Sequence, residues 1–372
     1  MIGIATGESI ARSWGDRRLR RVHQEHPRPA LVCVLGFTET ALIPGISAAG
    51  QTPSDRRITA LADGEFLLRG IQPHYHYPLP PLTAGASPAL ISRALLEALA
   101  LPLYVFDAGL PLPRLPEMID LGGAPARCLT TGQAMTPQMV AHLWQQGWSW
   151  GAKLSSQYPW LIIAECVVAG TTTALALCES LGIVARDCVG SSHRQSNHAQ
   201  KWQLVQQGLA HLPADADPLT CVAAIGDPMQ VVVAAMALRA SQTCGVLLAG
   251  GSQMMAVYAF ARAIAQWRQL PWCSEQIVVG TTRWLLADRT APIQRLAERV
   301  QCPLIYTQLD FTPSRHPALR AYEQGFVKEG VGAGGCAIAA HLLTGWSNSE
   351  IVNIIDRLAD RAQTSGGSLM AN

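Results

Sequence analysis

The sequence predicts an α/β fold in which a mostly parallel sheet is flanked by helices, and three observations carry the prediction. Short apolar runs recur along the chain and end in small or acidic residues; helices with readable starts fall between them; and the runs are apolar at consecutive rather than alternate positions. Continuous apolarity suits a strand whose sheet is covered by helices on both faces, and such cover goes with parallel pairing. Strand and helix in alternation give an α/β arrangement.

Taken in order, residues 1–29 carry six arginines together with Gly and Pro and show neither helical nor strand periodicity, so they read as a polar N-terminal arm. Leu31-Val-Cys-Val-Leu-Gly36 then gives the first buried-strand signal. The signal recurs at Leu103-Tyr-Val-Phe-Asp-Ala-Gly109, Leu161-Ile-Ile-Ala-Glu165, Cys221-Val-Ala-Ala-Ile-Gly226, Val246-Leu-Leu-Ala-Gly-Gly251, Ile277-Val-Val-Gly280 and Leu304-Ile-Tyr306. The Pro-rich stretch from Pro73 to Pro88 reads as a loop, because elements of the same kind lie on either side. Ser87-Pro88, Thr136-Pro137 and Asp227-Pro228 each set an N-cap residue before a proline at the first helical position. After the first, Leu90, Ile91, Ala94, Leu95, Ala98 and Leu99 form one apolar face. After the third, residues 231–237 are apolar nearly all round in a helix of only about three turns, which predicts a buried helix and a candidate interface element rather than a membrane span. Ser347-x-x-Glu350 is a capping box ahead of Ile351, Ile354, Ile355 and Leu358. Residues 364–372, rich in Ser and Gly, read as a flexible tail.

A chain of 372 residues, 49% hydrophobic and 15% charged, can bury a large core. Its net charge of +2 gives no global attraction to nucleic acid or to an anionic membrane, so any anion site must be local. The ten cysteines are scattered, mostly in apolar runs and without a Cys-x-x-Cys pair, as buried residues of a reducing compartment are. With no long apolar signal core at the N-terminus, a cytoplasmic protein is expected.

Ligands of open α/β sheets bind beyond the carboxyl ends of the strands, so strand-end residues are the candidates for chemistry. In Glu165-Cys-Val-Val-Ala-Gly-Thr-Thr-Thr173 a strand ends on an acid, and Gly170, Thr171 and Thr172 open a helix; this is either an anion cradle or a ligand-free helix start, and it lacks the Gly-Lys-Ser/Thr ending of a P-loop. In Lys328-Glu329-Gly-Val-Gly-Ala-Gly-Gly335 four glycines follow the carboxylate of Glu329 within six residues, more than a turn needs, and Gly330 and Gly332 permit close backbone approach to a ligand. The polar loop Ser191-Ser-His-Arg-Gln-Ser-Asn-His198 leads into a helix with Lys201 one turn in, a candidate phosphate partner. His193 and His198 lack a third metal ligand nearby, and His74 and His76 read as surface residues. The strand-end loops with Gly250, Gly251 and Ser252, and with Arg283 as a possible anion partner, complete the set.

These segments, in this order, resemble the nicotinate-nucleotide:dimethylbenzimidazole phosphoribosyltransferase family, in a divergent cyanobacterial and archaeal branch. The resemblance spans about residues 30 to 345, and Ala321-Tyr-Glu-Gln-Gly-Phe-Val-Lys-Glu-Gly-Val-Gly-Ala-Gly-Gly-Cys336 is close to a signature of that branch. The family's Gly-Glu-Met-Gly-Ile-Gly-Asn-Thr-Thr loop, which holds the mononucleotide, is replaced by Ala164-Glu-Cys-Val-Val-Ala-Gly-Thr-Thr172, with Val167 and Ala169 in place of glycines. The family's Leu-Gly-Glu-Gly-Ser-Gly-Ala, whose Glu is the catalytic base, resembles Val327-Lys-Glu-Gly-Val-Gly-Ala333, with Lys328 and Val331 as departures. Gly36-Phe-Thr-Glu39 stands where the family has Asp-His-Gly. The resemblance implies a Rossmann-like sheet with a small helical subdomain built from N- and C-terminal segments. It divides 30–363 into a large α/β core, about 82–315, and a helical part from about 50–81 and 316–363.

It further implies transfer of phosphoribose from nicotinate mononucleotide to a benzimidazole or related base, with no cofactor, by a homodimer that binds neither nucleic acid nor membrane. Glu329 would be the catalytic base, and Glu165 would face the cationic transition state. Lys201 falls at a phosphate-binding lysine, and Ser87 lies in the loop of the aromatic-base pocket. Two rivals stay open: a non-catalytic or regulatory nucleotide-binding protein on the same fold, and a metal-dependent hydrolase built on His193, His198 and Asp227.

Overall fold

The computed structural model describes residues 2–25, 28–80, 82 and 84–364. Among them, eight strands form one sheet: β1 (Ile2–Thr6), β2 (Ala30–Leu35), β3 (Leu103–Asp107), β4 (Ile119–Asp120), β5 (Trp160–Cys166), β6 (Gly245–Ala249), β7 (Ile277–Thr282) and β8 (Leu304–Thr307). Their spatial order is β1-β8-β7-β6-β5-β2-β3-β4, and every pairing is parallel except that of β1 with β8. From the adjacent strands β2 and β5 the chain proceeds outward in opposite directions, through β3 and β4 on one side and β6 to β8 on the other. That is the order reversal of a Rossmann-like sheet, and it opens a crevice beyond the carboxyl ends of β2 and β5.

Both faces of the sheet are covered, which is why its central strands are apolar at every position. In β2, Ala30, Val32 and Val34 face one core while Leu31, Cys33 and Leu35 face the other. The first core is closed by helices including Pro137–Ser155, Gly170–Ser180, Pro228–Ala240 and Ser252–Trp267. The second is closed by Pro53–Arg69 and Ala333–Thr344 against the sheet, with Pro88–Leu99 packed on both and Asn348–Thr364 packed on Pro88–Leu99. The ten cysteines are free thiols, and no helix among the described residues is long and apolar enough to cross a membrane.

The structure corrects three expectations. Residues 2–25 are not an irregular arm: Ile2–Thr6 pairs antiparallel with β8, and Glu8–Glu25 is a helix that buries Ala11 and Trp14, with Trp14 edge-on to Trp160 at 5.6 Å. The apolar positions are too few and the arginines too many for a periodic signal. Cys221–Gly226 is no strand, because Pro218–Ile225 is a helix whose N-cap Asp217 accepts from the N–H groups of Leu219 and Thr220. A six-residue apolar run has no distinguishable period, and Asp217-Pro218 was the deciding signature. Finally, the helix Pro228–Ala240 is buried inside the chain, packed on Pro137–Ser155 and Ser252–Trp267, which removes it as an interface element. The tail expected over 364–372 lies, beyond Thr364, outside the described residues.

Candidate active site

A cavity of about 370 Å³ lies beyond the carboxyl ends of β2, β5 and β6, the position the strand order singles out and a volume within the range of small-molecule sites. Glu165, the penultimate residue of β5, points into it and is 5% exposed. Its carboxylate accepts from the Val167 N–H (3.1 Å) and from Gln253 Nε2 (2.9 Å). Burial, reinforced by the negative charges of Asp227 and Glu329, pushes its pKa up to about 8.

Glu329 stands on the same wall. Thr281 Oγ1, at the end of β7, donates to its Oε2 at 3.0 Å, and the N–H groups of Gly330 and Gly334 donate to Oε1 at 3.1 Å each. Burial nevertheless raises its pKa to about 7. The loop presenting it is strained: Val327, Lys328 and Val331 all have positive φ, at 64°, 73° and 50°. Left-handed backbone is costly for β-branched residues and persists only where surrounding contacts hold it. Those contacts are visible. Thr282 Oγ1 donates to Lys328 O at 2.6 Å, Ser92 Oγ to Val331 O at 2.7 Å, and the buried Lys328 ammonium pairs with Asp288 at 2.5 Å. Lys328, a departure from the family pattern, thus clamps the loop of Glu329.

Two helix starts, at Gly170 and at Ser252, open onto the cavity, and neither has a side-chain cap. Uncapped first-turn N–H groups and the positive end of the helix dipole favour an anion. Thr171, Gly251 and Ser252 line the cavity here, and Ser252 Oγ accepts from the Gly190 N–H at 3.3 Å. Ser191 also lines it, 7% exposed, its hydroxyl without a partner in the protein; Gln253 Oε1 is likewise unpartnered. Across the mouth, Arg194 lies 5.7 Å over the Phe326 ring.

The cavity lining also includes the apolar Leu79, Leu82, Ala84 and Pro88, and a third carboxylate. That carboxylate, Asp63, was missed in the sequence. It sits inside the helix Pro53–Arg69, 5% exposed, and accepts from Ser87 Oγ at 2.7 Å and Cys166 Sγ at 3.3 Å. Burial raises its pKa to about 6. An available signal was Asp63 and Glu65 within the apolar run from Ala60 to Leu68, where an acid needs a buried partner. Glu65 finds one nearby, accepting the N–H groups of His76 and Tyr77, and is structural.

Of the residues expected in the transferase site, Glu329, Glu165, Gly170, Thr171, Gly251, Ser252, Ser87 and Gly330 line the cavity, while Lys201, Thr172, Gly250 and Gly332 do not. Lys201 lies fully buried beneath the loop, donating to Val189 O (2.8 Å) and Gly190 O (2.6 Å), with its pKa lowered to about 7 by burial. It holds the 189–190 carbonyls and does not line the cavity, because its place on the helix turns it into the core. Thr172 also turns inward, its hydroxyl buried and unpartnered. Gly250 and Gly332 serve packing: a Cβ on Gly332 would come within 2.7 Å of Ala164 Cβ, and one on Gly250 within 2.9 Å of Met254 Cγ. Arg283 is taken by Asp310 and Glu323. His193 and His198 bond to the carbonyls of Gly45 and Thr290, while Asp227 is buried against Thr173, so these three do not meet. Among the described residues no group of three or more His, Cys, Asp or Glu side chains is placed to hold a metal ion.

A ligand site at the switch point of a Rossmann-like sheet defines a broad class of α/β proteins that bind nucleotides and related molecules. Within it, residues 89–276 match the family model described as phosphoribosyltransferase, and the chain belongs to that family. A UPF0284 protein of Thermosynechococcus vestitus is 87% identical, over 97% of this chain and 96% of its own length. One from a Cyanothece species is 56% identical, over 99% of this chain and 100% of its own. Among solved structures, CobT from Thermus thermophilus aligns with a TM-score of 0.62 at 19% identity, over 92% of this chain and 89% of that one. A nicotinate-nucleotide–dimethylbenzimidazole phosphoribosyltransferase structure from the same organism gives 0.58 at 18%, over 91% and 90%. At these identities the likeness is one of fold.

Proposed function

We propose that this protein transfers phosphoribose from nicotinate mononucleotide to a benzimidazole or related base, giving an α-ribazole phosphate-type product for the lower ligand of a cobamide. The observation that carries the reading is Glu329: a carboxylate on the cavity wall whose burial brings its pKa to about 7, the range in which a carboxylate exchanges protons at neutral pH. In the reaction an acceptor-ring nitrogen forms a bond to ribose C1′ as the bond from C1′ to the pyridinium nitrogen breaks, its electron pair leaving with nicotinate. The N–H proton of the acceptor passes to Glu329. Glu165 faces the positive charge that builds on the ribose; the pyridinium of the donor favours its ionised form, which the empty cavity disfavours. The open helix starts at Gly170 and Ser252, with the unpartnered hydroxyl of Ser191, offer donors to the phosphate.

The rival reading, a nucleotide-binding protein without turnover, rests on Val167 and Ala169 in place of glycines. Ala169 still adopts φ 63°, so the turn a glycine would make there is kept. Mass spectrometry of the purified protein with nicotinate mononucleotide and a panel of azole and purine acceptors separates the two: nicotinate release with a phosphoribosylated base supports transfer, binding without release supports the rival. Glu329→Gln is expected to lower turnover by about 10²-fold or more while donor binding persists. Unchanged turnover would remove Glu329 from the mechanism.

A further inference from the structure

The cavity lining holds a feature that the proposed reaction does not require. Leu79, Leu82, Ala84 and Pro88 suit the faces and edges of a planar bicyclic ring, yet the buried carboxylate of Asp63, bonded to Ser87 beside Pro88, also lines the cavity. Ser87 Oγ and Cys166 Sγ each donate to one of its oxygens, which leaves further lone pairs on both. When a ring fills the slot, water is displaced from Asp63. A base with only methyl groups on that edge leaves the carboxyl without a replacement for it, whereas a base with an N–H or O–H supplies one.

We propose that Asp63 is a specificity residue selecting acceptor bases with a hydrogen-bond donor, an exocyclic amine or a hydroxyl, on the ring remote from the attacking nitrogen. The inference rests on the proposed function in one respect, that the slot beside Ser87 receives the acceptor. Glu329 and Asp63 then divide the work, one taking the proton of the ring nitrogen and the other accepting from the remote substituent. Asp63 positions and discriminates; it does not touch the reacting atoms.

The test compares adenine, 5-hydroxybenzimidazole and 5,6-dimethylbenzimidazole as acceptors, by calorimetric binding to the full-length protein and by kcat/KM with nicotinate mononucleotide, in wild type, Asp63→Asn and Asp63→Ala. Circular dichroism confirms that each variant is folded. In wild type the two donor-bearing bases are expected to bind about tenfold or more tighter than the dimethyl base, and in Asp63→Ala that ratio is expected to collapse, mainly through KM. A wild-type preference for the dimethyl base, no binding of any of the three, or an equal loss for all three in both variants would overturn the proposal. Absence of turnover with the binding ratio intact would count against the transferase reading alone, because the binding arm does not depend on chemistry. Should both variants prove unfolded, Ser87→Ala, which frees one Asp63 oxygen for the ligand, is expected to keep or widen the wild-type ratio; a collapsed ratio there would overturn it.

Discussion

Two groups of helix starts in this protein differ in how they are capped. Pro53–Arg69, Pro88–Leu99, Pro137–Ser155, Pro218–Ile225 and Pro228–Ala240 each begin with a proline after a Ser, Thr or Asp whose side chain accepts a first-turn N–H. Gly170–Ser180, Ser252–Trp267 and Ala333–Thr344 begin after Ala169, Gly251 and Gly332, with no N-cap side chain bonded. The first two of these open on the cavity, and the third gives its Gly334 N–H to Glu329. A missing cap is not confined to the site, since His198–Leu209 and Ile293–Val300 lack one too, but at the cavity it leaves first-turn donors open to a ligand, and beside Glu329 it gives one to a carboxylate. Ser87, in the first group, caps its helix and also donates to Asp63 on the cavity wall.

If contacts other than caps secure the site, removing one should cost more than removing a cap. Lys328→Met leaves Asp288, whose side chain is 6% exposed, without its ion-pair partner. Thr290 still donates to the other oxygen of Asp288, yet losing the partner of a buried pair costs about 3 kcal/mol, against about 1 kcal/mol for a lost N-cap. Urea denaturation measures this directly, and a loss no larger than that of a cap variant would show that the pair does not hold the loop. Turnover should fall as well, since the same loop presents Glu329.

The two kinds of start also divide what the sequence discloses. Proline after a polar residue is a local signature, so Ser87, Thr136 and Asp227 were legible as caps, and the Ser347 capping box holds with Glu350 Oε2 accepting the Ser347 N–H at 2.8 Å. Glu329 was legible because its glycines exceed what a turn needs, and Glu165 because it ends a strand. Depth was not legible. Lys201 and Thr172 occupy plausible helix positions but turn inward, whereas Asp63 reaches the cavity from mid-helix through a contact with Ser87 24 residues away. Nor did residues 221–226 reveal their type, since six apolar residues fit either a strand or a helix.

A second difference is electrostatic. Asp217 has its carboxyl held below the usual range by hydrogen bonds from Thr220 and Leu219 that outweigh burial. The cavity acids go the other way, since burial raises Asp63 to about 6, Glu329 to about 7 and Glu165 to about 8. As pH rises from 5 to 8 the unfolded chain has already released these protons while the folded one retains them, so stability falls as pH rises through that window. Asp217 contributes in the opposite sense, losing its stabilisation only as pH falls through its lowered pKa. Urea midpoints across pH 5 to 8 should therefore decline, and less steeply in Glu329→Gln. A flat profile would mean that the acids are ionised in the folded protein. Turnover should rise with pH through about 7 as Glu329 becomes able to accept a proton.

The smallest effect is the most discriminating. In a helix that starts by the ordinary rules, exchanging Thr136 for alanine removes the acceptor of the Met139 N–H, a bond of 3.1 Å, and should cost about 1 kcal/mol. At the site a change that normally weakens a helix should do the reverse. Ala169 holds φ at 63°, where the Cβ is disfavoured by about 1–2 kcal/mol, and Ala169→Gly relieves that strain at a cost of about 0.5–1 kcal/mol in unfolded-chain entropy. The net expectation is a gain of about 0.5 kcal/mol, read as a higher urea midpoint beside the lower one of Thr136→Ala. A loss of about 1 kcal/mol, as for glycine placed in an ordinary helix, would show that Ala169 is unstrained. The alanine would then be an innocuous replacement, and the difference between the two kinds of helix start would lie in their hydrogen bonds alone.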